Sequence, residues 1–330
     1  MAASRAVTDG RMDPDLPIDC ETGIVYHLAC TRKDLADRFI FVGDPARVEV
    51  VAARFDAGSI IFSGSHREIA ITTGTYKGVP VTCLSTGMGT DNVEIVINEI
   101  HALKEYDVAT RQWMSEEESK VAASKVRIIR VGTCGSPQKD AVCGQLAITR
   151  HCIGMDNTCR YYTIPAADAA GAALSKIVNE EGPFSRVGGA YTTNAHPDIT
   201  KALVTTAEAL ESKRKIAVGI TATGSGFYGC QGRVVGRFKN HVSIPNLVDF
   251  LGTVSLPIEG EQVPEQVVNI EMETSAVCCL SNMLGYKAGT VCAVLAKRAG
   301  DVVEFATPEE GKAAINDAIN VGLDAVVSME

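Results

Sequence analysis

The chain has 330 residues, 46% hydrophobic and 22% charged, which is ordinary globular composition with length enough for one large core or two domains. A net charge of −9, with Lys and Arg scattered singly, excludes the basic footprint of a nucleic-acid-binding protein. No apolar run approaches the roughly 20 residues of a membrane helix, and the first residues lack the apolar stretch of a secretory signal.

Residues 1–22 are polar and contain proline, and read as a loose tail ahead of a single domain over 23–330. Order is expected from Ile24. Residues 39–42 are a buried strand, after which Asp44 as N-cap and Pro45 as first helical residue start a helix through Val48, Val50 and Val51. Strands follow at 59–62 and 67–75, then a turn at Lys77-Gly78 and a strand at 81–84 that opens into Ser85-Thr-Gly-Met-Gly89. Residues 92–106 form an amphipathic helix with Val93, Val96, Ile97, Ile100 and Leu103 on one face. The charged stretch 109–125 reads as a surface insertion. An apolar strand from Ile128 breaks into a Gly-Thr-x-Gly loop that ends at Pro137. Strands at 146–149, 216–223, 266–270 and 288–297 then alternate with helices at 168–180, 198–211, 271–284 and 308–327. No repeat and no Pro/Ser-rich linker interrupts them. The pattern predicts one α/β domain, a central mixed β-sheet flanked by helices on both faces.

Eleven cysteines, odd in number and without a C-x-x-C pair, read as reduced thiols in a cytoplasmic protein. The six histidines form no zinc-type cluster.

Five stretches could carry chemistry. In Gly43-Asp-Pro-x-Arg47 a strand feeds a helix N-terminus, and a cation in that first turn makes sense beside an anion; a capped helix with a surface arginine is the plainer alternative. In 128–137, Arg130 offers a fork of donors beside a glycine loop, suited to an oxyanion, or to a buried carboxylate. Gly87-Met-Gly-Thr-Asp-Asn92 begins as G-x-G but lacks the third glycine of a dinucleotide site, so it fits a close backbone approach to a ligand or a partner subunit. Phe227-Tyr-Gly-Cys-Gln-Gly-Arg233 offers a stacking face, a planar donor–acceptor in Gln231 and a donor in Arg233, a set suited to a flat heterocycle. Glu271-Met-Glu273 places two carboxylates where strand becomes helix; they suit a sugar diol or the helix dipole, and their apolar flanks predict burial. Ser65-His-Arg-Glu68, by itself, is an exposed strand start.

These stretches, with Val25-Tyr-His-Leu28, resemble in order and spacing the nucleoside phosphorylase family, which includes uracil-reading enzymes and hexameric-type purine enzymes. The resemblance runs from about Val25 to Ala325. It implies a three-layer fold and a pentosyl transfer, phosphorolysis of uridine to uracil and ribose 1-phosphate in pyrimidine salvage. It implies Gly43, Arg47, Arg130 and Thr133 at phosphate, with Arg67 inserted from a neighbouring subunit. It implies His27, Thr133, Met272 and Glu273 at the ribose, His27 also across a subunit boundary. Phe227, Gln231, Arg233 and Glu271 would meet the base, with Val294 and Leu295 as its apolar wall. Arg130, Glu273, Gln231 and Arg233 would carry the catalysis. Purine-specific relatives place an aspartate just after the late apolar strand; here Val294-Leu-Ala-Lys-Arg298 has no acid until Asp301, which favours a pyrimidine. No cofactor is implied for the chemistry, though Glu68, a Met88 carbonyl and Asn92 would hold a structural cation between paired subunits. The partners implied are uridine, phosphate and a second copy of the chain, a dimer at minimum, with the stretches at 109–125 and 182–194 obstructing a hexamer. A purine or broad-specificity phosphorylase of the same fold, and a non-catalytic nucleoside binder, stay open as alternatives.

Overall fold

The computed structural model describes residues 15–300 and 302–329. Phe39, Ile40, Phe41 and Val42 are all fully buried, as a strand covered by helices on both faces must be. They lie in β1 (Arg38–Val42). Asp44 then caps α1 (Pro45–Ala52) by accepting from the Ala46 N–H. β2 (Phe62–His66), β3 (Ile69–Tyr76) and β4 (Val79–Ser85) form an antiparallel meander. α2 (Thr90–Glu105) buries the five apolar residues its periodicity singles out.

β5 (Tyr106–Asp107), β6 (Gln112–Trp113) and α3 (Glu116–Ala123) follow, then β7 (Arg127–Ser136) and β8 (Leu146–Gly154). α4 (Ala169–Lys176), β9 (Tyr191–Asn194), α5 (Pro197–Glu208) and β10 (Ile216–Thr223) come next. α6 (Leu247–Thr253), β11 (Ser255–Leu256), β12 (Glu265–Glu271), α7 (Thr274–Leu284), β13 (Lys287–Ala299), β14 (Val302–Phe305) and α8 (Pro308–Ser328) complete the order.

All the strands but β5 and β6, which pair with each other, join in one mixed sheet, in the order β11-β12-β10-β8-β13-β7-β1-β4-β3-β2, with β14 on β13 and β9 on β8. β1 lies parallel to both β4 and β7, β7 parallel to β13, and β10 parallel to both β8 and β12. Strand alternation divides the core. Phe39, Phe41 and Ile128 pack with Val93, Ile97, Ile100, Val277 and Leu280 of α2 and α7. Ile40, Val42, Ile129 and Val131 pack on the other face with Val48 and Val51 of α1, Ile199 and Leu203 of α5, and Ile319 and Leu323 of α8. The three layers expected from sequence are present.

Two local expectations change, and two stretches gain detail. The glycine loop expected after Arg130 is not a loop: β7 runs on to Ser136, with Gly132, Thr133 and Gly135 still in register with β13. Beyond Val131 these residues pair with β13 on one side, while β1 has already ended on the other. The stretch 109–125 is ordered as the β5–β6 hairpin and α3, whose start is closed by a capping box of Ser115 and Glu118. The strand expected at 59–62 slides to β2, because β2 and β3 close on a two-residue turn, Arg67-Glu68, that fixes their register. The region 182–194 is a 3-10 turn (Pro183–Val187) and β9. Most of the expected tail lies outside the described residues; within it Ile18 is fully buried and bridges Val25.

Candidate functional site

The C-terminal ends of β1, β4, β7 and β12 bring four of the five stretches together, where open α/β sheets hold their ligands. Gly43 follows β1 and faces the Gly87 loop after β4 closely: a Cβ on Gly43 would sit 3.4 Å from the Gly87 carbonyl oxygen. Gly87 and Gly89 both hold positive φ, +70° and +98°, which shapes this loop into the start of α2. The Gly89 N–H donates to Glu273 Oε1 at 2.7 Å.

Arg130 is the hub. Its guanidinium pairs with Glu271 Oε2 at 3.0 Å and with Glu273 Oε2, and it touches Cys292 Sγ at 3.3 Å. A Cβ on Gly132 would fall 2.3 Å from Arg130 Nη1, so the glycine two residues on makes room for the group. Burial works to lower the Arg130 pKa, but Glu273 and Glu271 outweigh it and drive it up, so the cation is permanent. Arg130 Nε is buried without a hydrogen-bond partner among the described residues. Arg47 lies half-buried alongside, its Nη1 donating to the Val131 carbonyl at 3.4 Å. Burial, and then repulsion from Arg130, pull its pKa down. Two guanidinium groups that repel each other beside the C-terminal end of β1 form a place that an anion stabilises. Thr133, on β7 beyond Arg130, is partly exposed.

Glu271 is engaged on every side. Oε1 accepts from the Thr223 hydroxyl at 2.6 Å, and Oε2 accepts from the Glu273 N–H at 2.9 Å and the Thr274 N–H at 3.0 Å. Glu271 thus holds Arg130 and closes the first turn of α7. Burial raises the Glu273 carboxyl above the usual range, with Arg130 opposing and Glu271 adding to the rise. Met272, between the two glutamates, is partly exposed.

The base loop follows β10. Arg233 stacks on the Phe227 ring, 4.1 Å from its centroid, and its Nε donates to the Phe227 carbonyl at 2.9 Å. Gln231 is buried, with Nε2 donating to the Gly226 carbonyl at 3.3 Å. Beside this loop lies a cavity of about 620 Å³, lined by Met155, Tyr228, Cys230, Arg233, Phe238 and Leu247 among others. Val294 and Leu295, expected to form one wall, lie in different surroundings. Val294 is fully buried in a core of Cys134, Ala147, Val268 and Cys292. Between Val294 and Ala296 the register of β13 against β7 shifts, so Leu295 is the extra residue of a bulge, and it turns toward Arg47 and Gly311 of α8. Burial pushes the Cys134 thiol well up, and it packs with Val294 and Cys292.

His27 and Arg67 form a second group with Tyr26 and His66. His27 Nδ1 lies 2.6 Å from Glu99 Oε1, and Arg67 rests 5.6 Å over the Tyr26 ring. Among the described residues no hydrogen bond or ion pair links either to Arg130 or Glu273. Glu68, Met88 and Asn92 are neighbours, with Asn92 Nδ2 donating to the Met88 carbonyl at 3.0 Å. Among the described residues no group of three or more His, Cys, Asp or Glu could hold a metal ion. Asp301 lies outside the described residues. No helix among them is long and apolar enough to cross a membrane.

The partners of Glu271 escaped the sequence reading. Thr223 sits 48 positions away, and its only signal is a threonine closing an apolar strand.

Comparison with known proteins adds four results. The family model "Phosphorylase superfamily" matches residues 37–328. A uridine phosphorylase of Thermococcus kodakarensis is 30% identical, over 93% of this chain and 87% of its own length. A DeoD-type purine nucleoside phosphorylase of Geobacillus sp. (strain WCH70) is 24% identical, over 91% of this chain and 97% of its own length. Among solved structures, a Trypanosoma brucei nucleoside phosphorylase that shows uridine phosphorylase activity superposes with a TM-score of 0.88 at 45% identity, covering 96% of this chain and all of that one.

Proposed function

We infer, for a chain that belongs to the phosphorylase superfamily, the reversible phosphorolysis of uridine to uracil and ribose 1-phosphate. The observation that carries the chemistry is the meeting of Arg47 and Arg130 above a buried glutamate pair. Phosphate bound between these arginines attacks C1′ as the C1′–N1 bond breaks. The two arginines hold the dianion beneath the sugar, which is catalysis by orientation. The C1′–O bond forms with an electron pair from phosphate, and the glycosidic pair leaves on uracil.

Glu273 takes the ribose hydroxyls, and its charge favours the oxocarbenium character of the transition state. Charge developing on the departing base meets Arg233 and Gln231. Both side chains have loop carbonyls as their present partners, so this assignment rests on their chemistry and their place beside the cavity. The chain's own residues suffice for these steps; neither a nucleophilic side chain nor a cofactor takes part in them.

Arg67 and His27 reach the phosphate and the ribose 5′ end of a second copy in this reading, so the working unit is a homodimer. Support comes from their grouping with Tyr26 and His66, with no hydrogen bond or ion pair to Arg130 among the described residues. A cation at Glu68, Met88 and Asn92 between paired subunits belongs to the same proposal. A cytoplasmic location agrees with eleven cysteines that are all free.

Purified protein incubated with uridine or inosine, with and without phosphate, tests the reading. Uracil release that requires phosphate is expected. Cleavage of inosine alone would assign a purine enzyme, cleavage without phosphate a hydrolase, and no turnover a binding protein.

A further inference from the structure

A buried polar cluster outside the substrate contacts joins the two helix starts that flank Glu273. Its centre is Asp156, just beyond β8 and 1% exposed. Asp156 Oδ2 accepts from the Ser275 hydroxyl at 2.8 Å and from the Tyr191 hydroxyl at 2.7 Å. Oδ1 accepts from the Thr158 N–H at 3.0 Å. Ser275 lies in the first turn of α7, directly after Glu273 and Thr274.

The other arm runs through Thr158 to α2. Thr158 Oγ1 donates to Asp91 Oδ1 at 2.7 Å, which leaves it to accept from Thr90 Oγ1 at 2.8 Å. Thr90 and Asp91 open α2, directly after Gly89. Tyr191 fits against the cluster because residue 154 is glycine: a Cβ there would lie 2.1 Å from the Tyr191 ring.

Glu273 spans the same gap. Its backbone starts α7, and Oε1 is held by the Gly89 N–H at the start of α2. The separation of the two helix starts therefore sets where this carboxylate points, and the loop 156–158 is hydrogen-bonded to both starts. We propose that Asp156 and Thr158 are positioning residues for Glu273, a brace that fixes its carboxylate for the 2′ and 3′ hydroxyls of the sugar. This rests on the reading of Glu273 as the ribose contact.

The two arms can be cut separately. Thr158→Val keeps the side-chain shape and removes both hydroxyl contacts to α2. Asp156→Asn keeps one acceptor oxygen and puts an amide where the Tyr191 and Ser275 hydroxyls donate. Initial rates are measured on the full chain while nucleoside and phosphate are varied independently, with the ribo- and 2′-deoxyribonucleoside of the base that the wild type accepts. Each variant is expected to raise the nucleoside KM about tenfold, since small misplacements of a positioned group carry large kinetic effects. The phosphate KM is expected to stay near the wild-type value, and discrimination between ribo- and deoxyribonucleoside to narrow. Thr158→Ser, which restores the hydroxyl, should return wild-type values.

Equal changes in both KM values together with a lower melting temperature would make the cluster a general support and overturn the proposal. Unchanged discrimination in both variants would also overturn it. A wild type that prefers another base defeats the uracil reading alone, and the comparison then proceeds with that base. A wild type that cleaves no nucleoside overturns both.

Discussion

The Arg130 guanidinium lies 3.0 Å from the Glu271 carboxylate, with both side chains almost wholly buried. Removing one member of a buried charge pair costs about 3–5 kcal/mol, because the group left behind loses its compensation. Glu271→Ala also strands the Thr223 hydroxyl and the Thr274 N–H. A loss of stability of about that size is expected in urea unfolding. Glu271→Gln, which can still accept from Thr223, should recover part of it. A Glu271→Ala protein as stable as wild type would show that α7 does not depend on this carboxylate.

Gln231 lies buried in the base loop, and its amide reaches no further than the Gly226 carbonyl. Gln231→Ala removes a donor and an acceptor that the departing base is proposed to use, while β10 and β12 stay intact. Uridine turnover should fall on the order of 10²-fold, with the far-ultraviolet circular dichroism spectrum unchanged. Wild-type kinetics in this variant would remove Gln231 from the base site.

Arg67 and Glu273 are proposed to serve one active site from two different chains. Arg67→Ala and Glu273→Ala should each be inactive alone. Mixed, unfolded and refolded together, they should recover about a quarter of the wild-type activity. Half of the random dimers are mixed, and each mixed dimer has one intact site. A mixture as inactive as its parts would mean that Arg67 does not cross the interface.

The Glu273 carboxyl is raised above the ordinary range, first by burial, so its protonated form persists to higher pH than that of an exposed glutamate. The proposed ribose contact requires the carboxylate. Activity should therefore fall on the acid side at a pH above the usual glutamate range, and be regained as pH rises through the shifted value. A pH profile of kcat/KM for the nucleoside checks this. Glu273→Gln should be slow and lack that acid limb. An identical limb in the variant would assign it to another group.

Much of this was legible in the chain. Asp44 and Pro45 announce α1 because capping is a local matter. The apolar spacing from Val93 to Leu103 announces α2 because a helix repeats its face. Arg47 stood out because a cation in a first helical turn asks for an anion. What escaped depends on distant pairing. Whether Gly132–Gly135 is loop or strand is decided by β13, more than 150 positions away, since glycine is acceptable in either. The bulge at Leu295 exists only as a mismatch between two strands, and it sends Val294 and Leu295 to different surroundings. Ser275 and Asp156 are separated by 119 positions, and neither carries a pattern that points to the other. α6 and β9 are too short for periodicity to register.

Arg67 occupies the first position of the β2–β3 turn with φ +54°, a conformation that glycine or asparagine adopts more readily. A non-glycine residue held there costs on the order of 1–3 kcal/mol. Directed evolution scored on heat tolerance alone would thus be drawn to Arg67→Gly, a sturdier fold that has lost the arm proposed to reach its neighbour. Breeding this scaffold for hardiness and breeding it for turnover pull in opposite directions at this one hairpin tip.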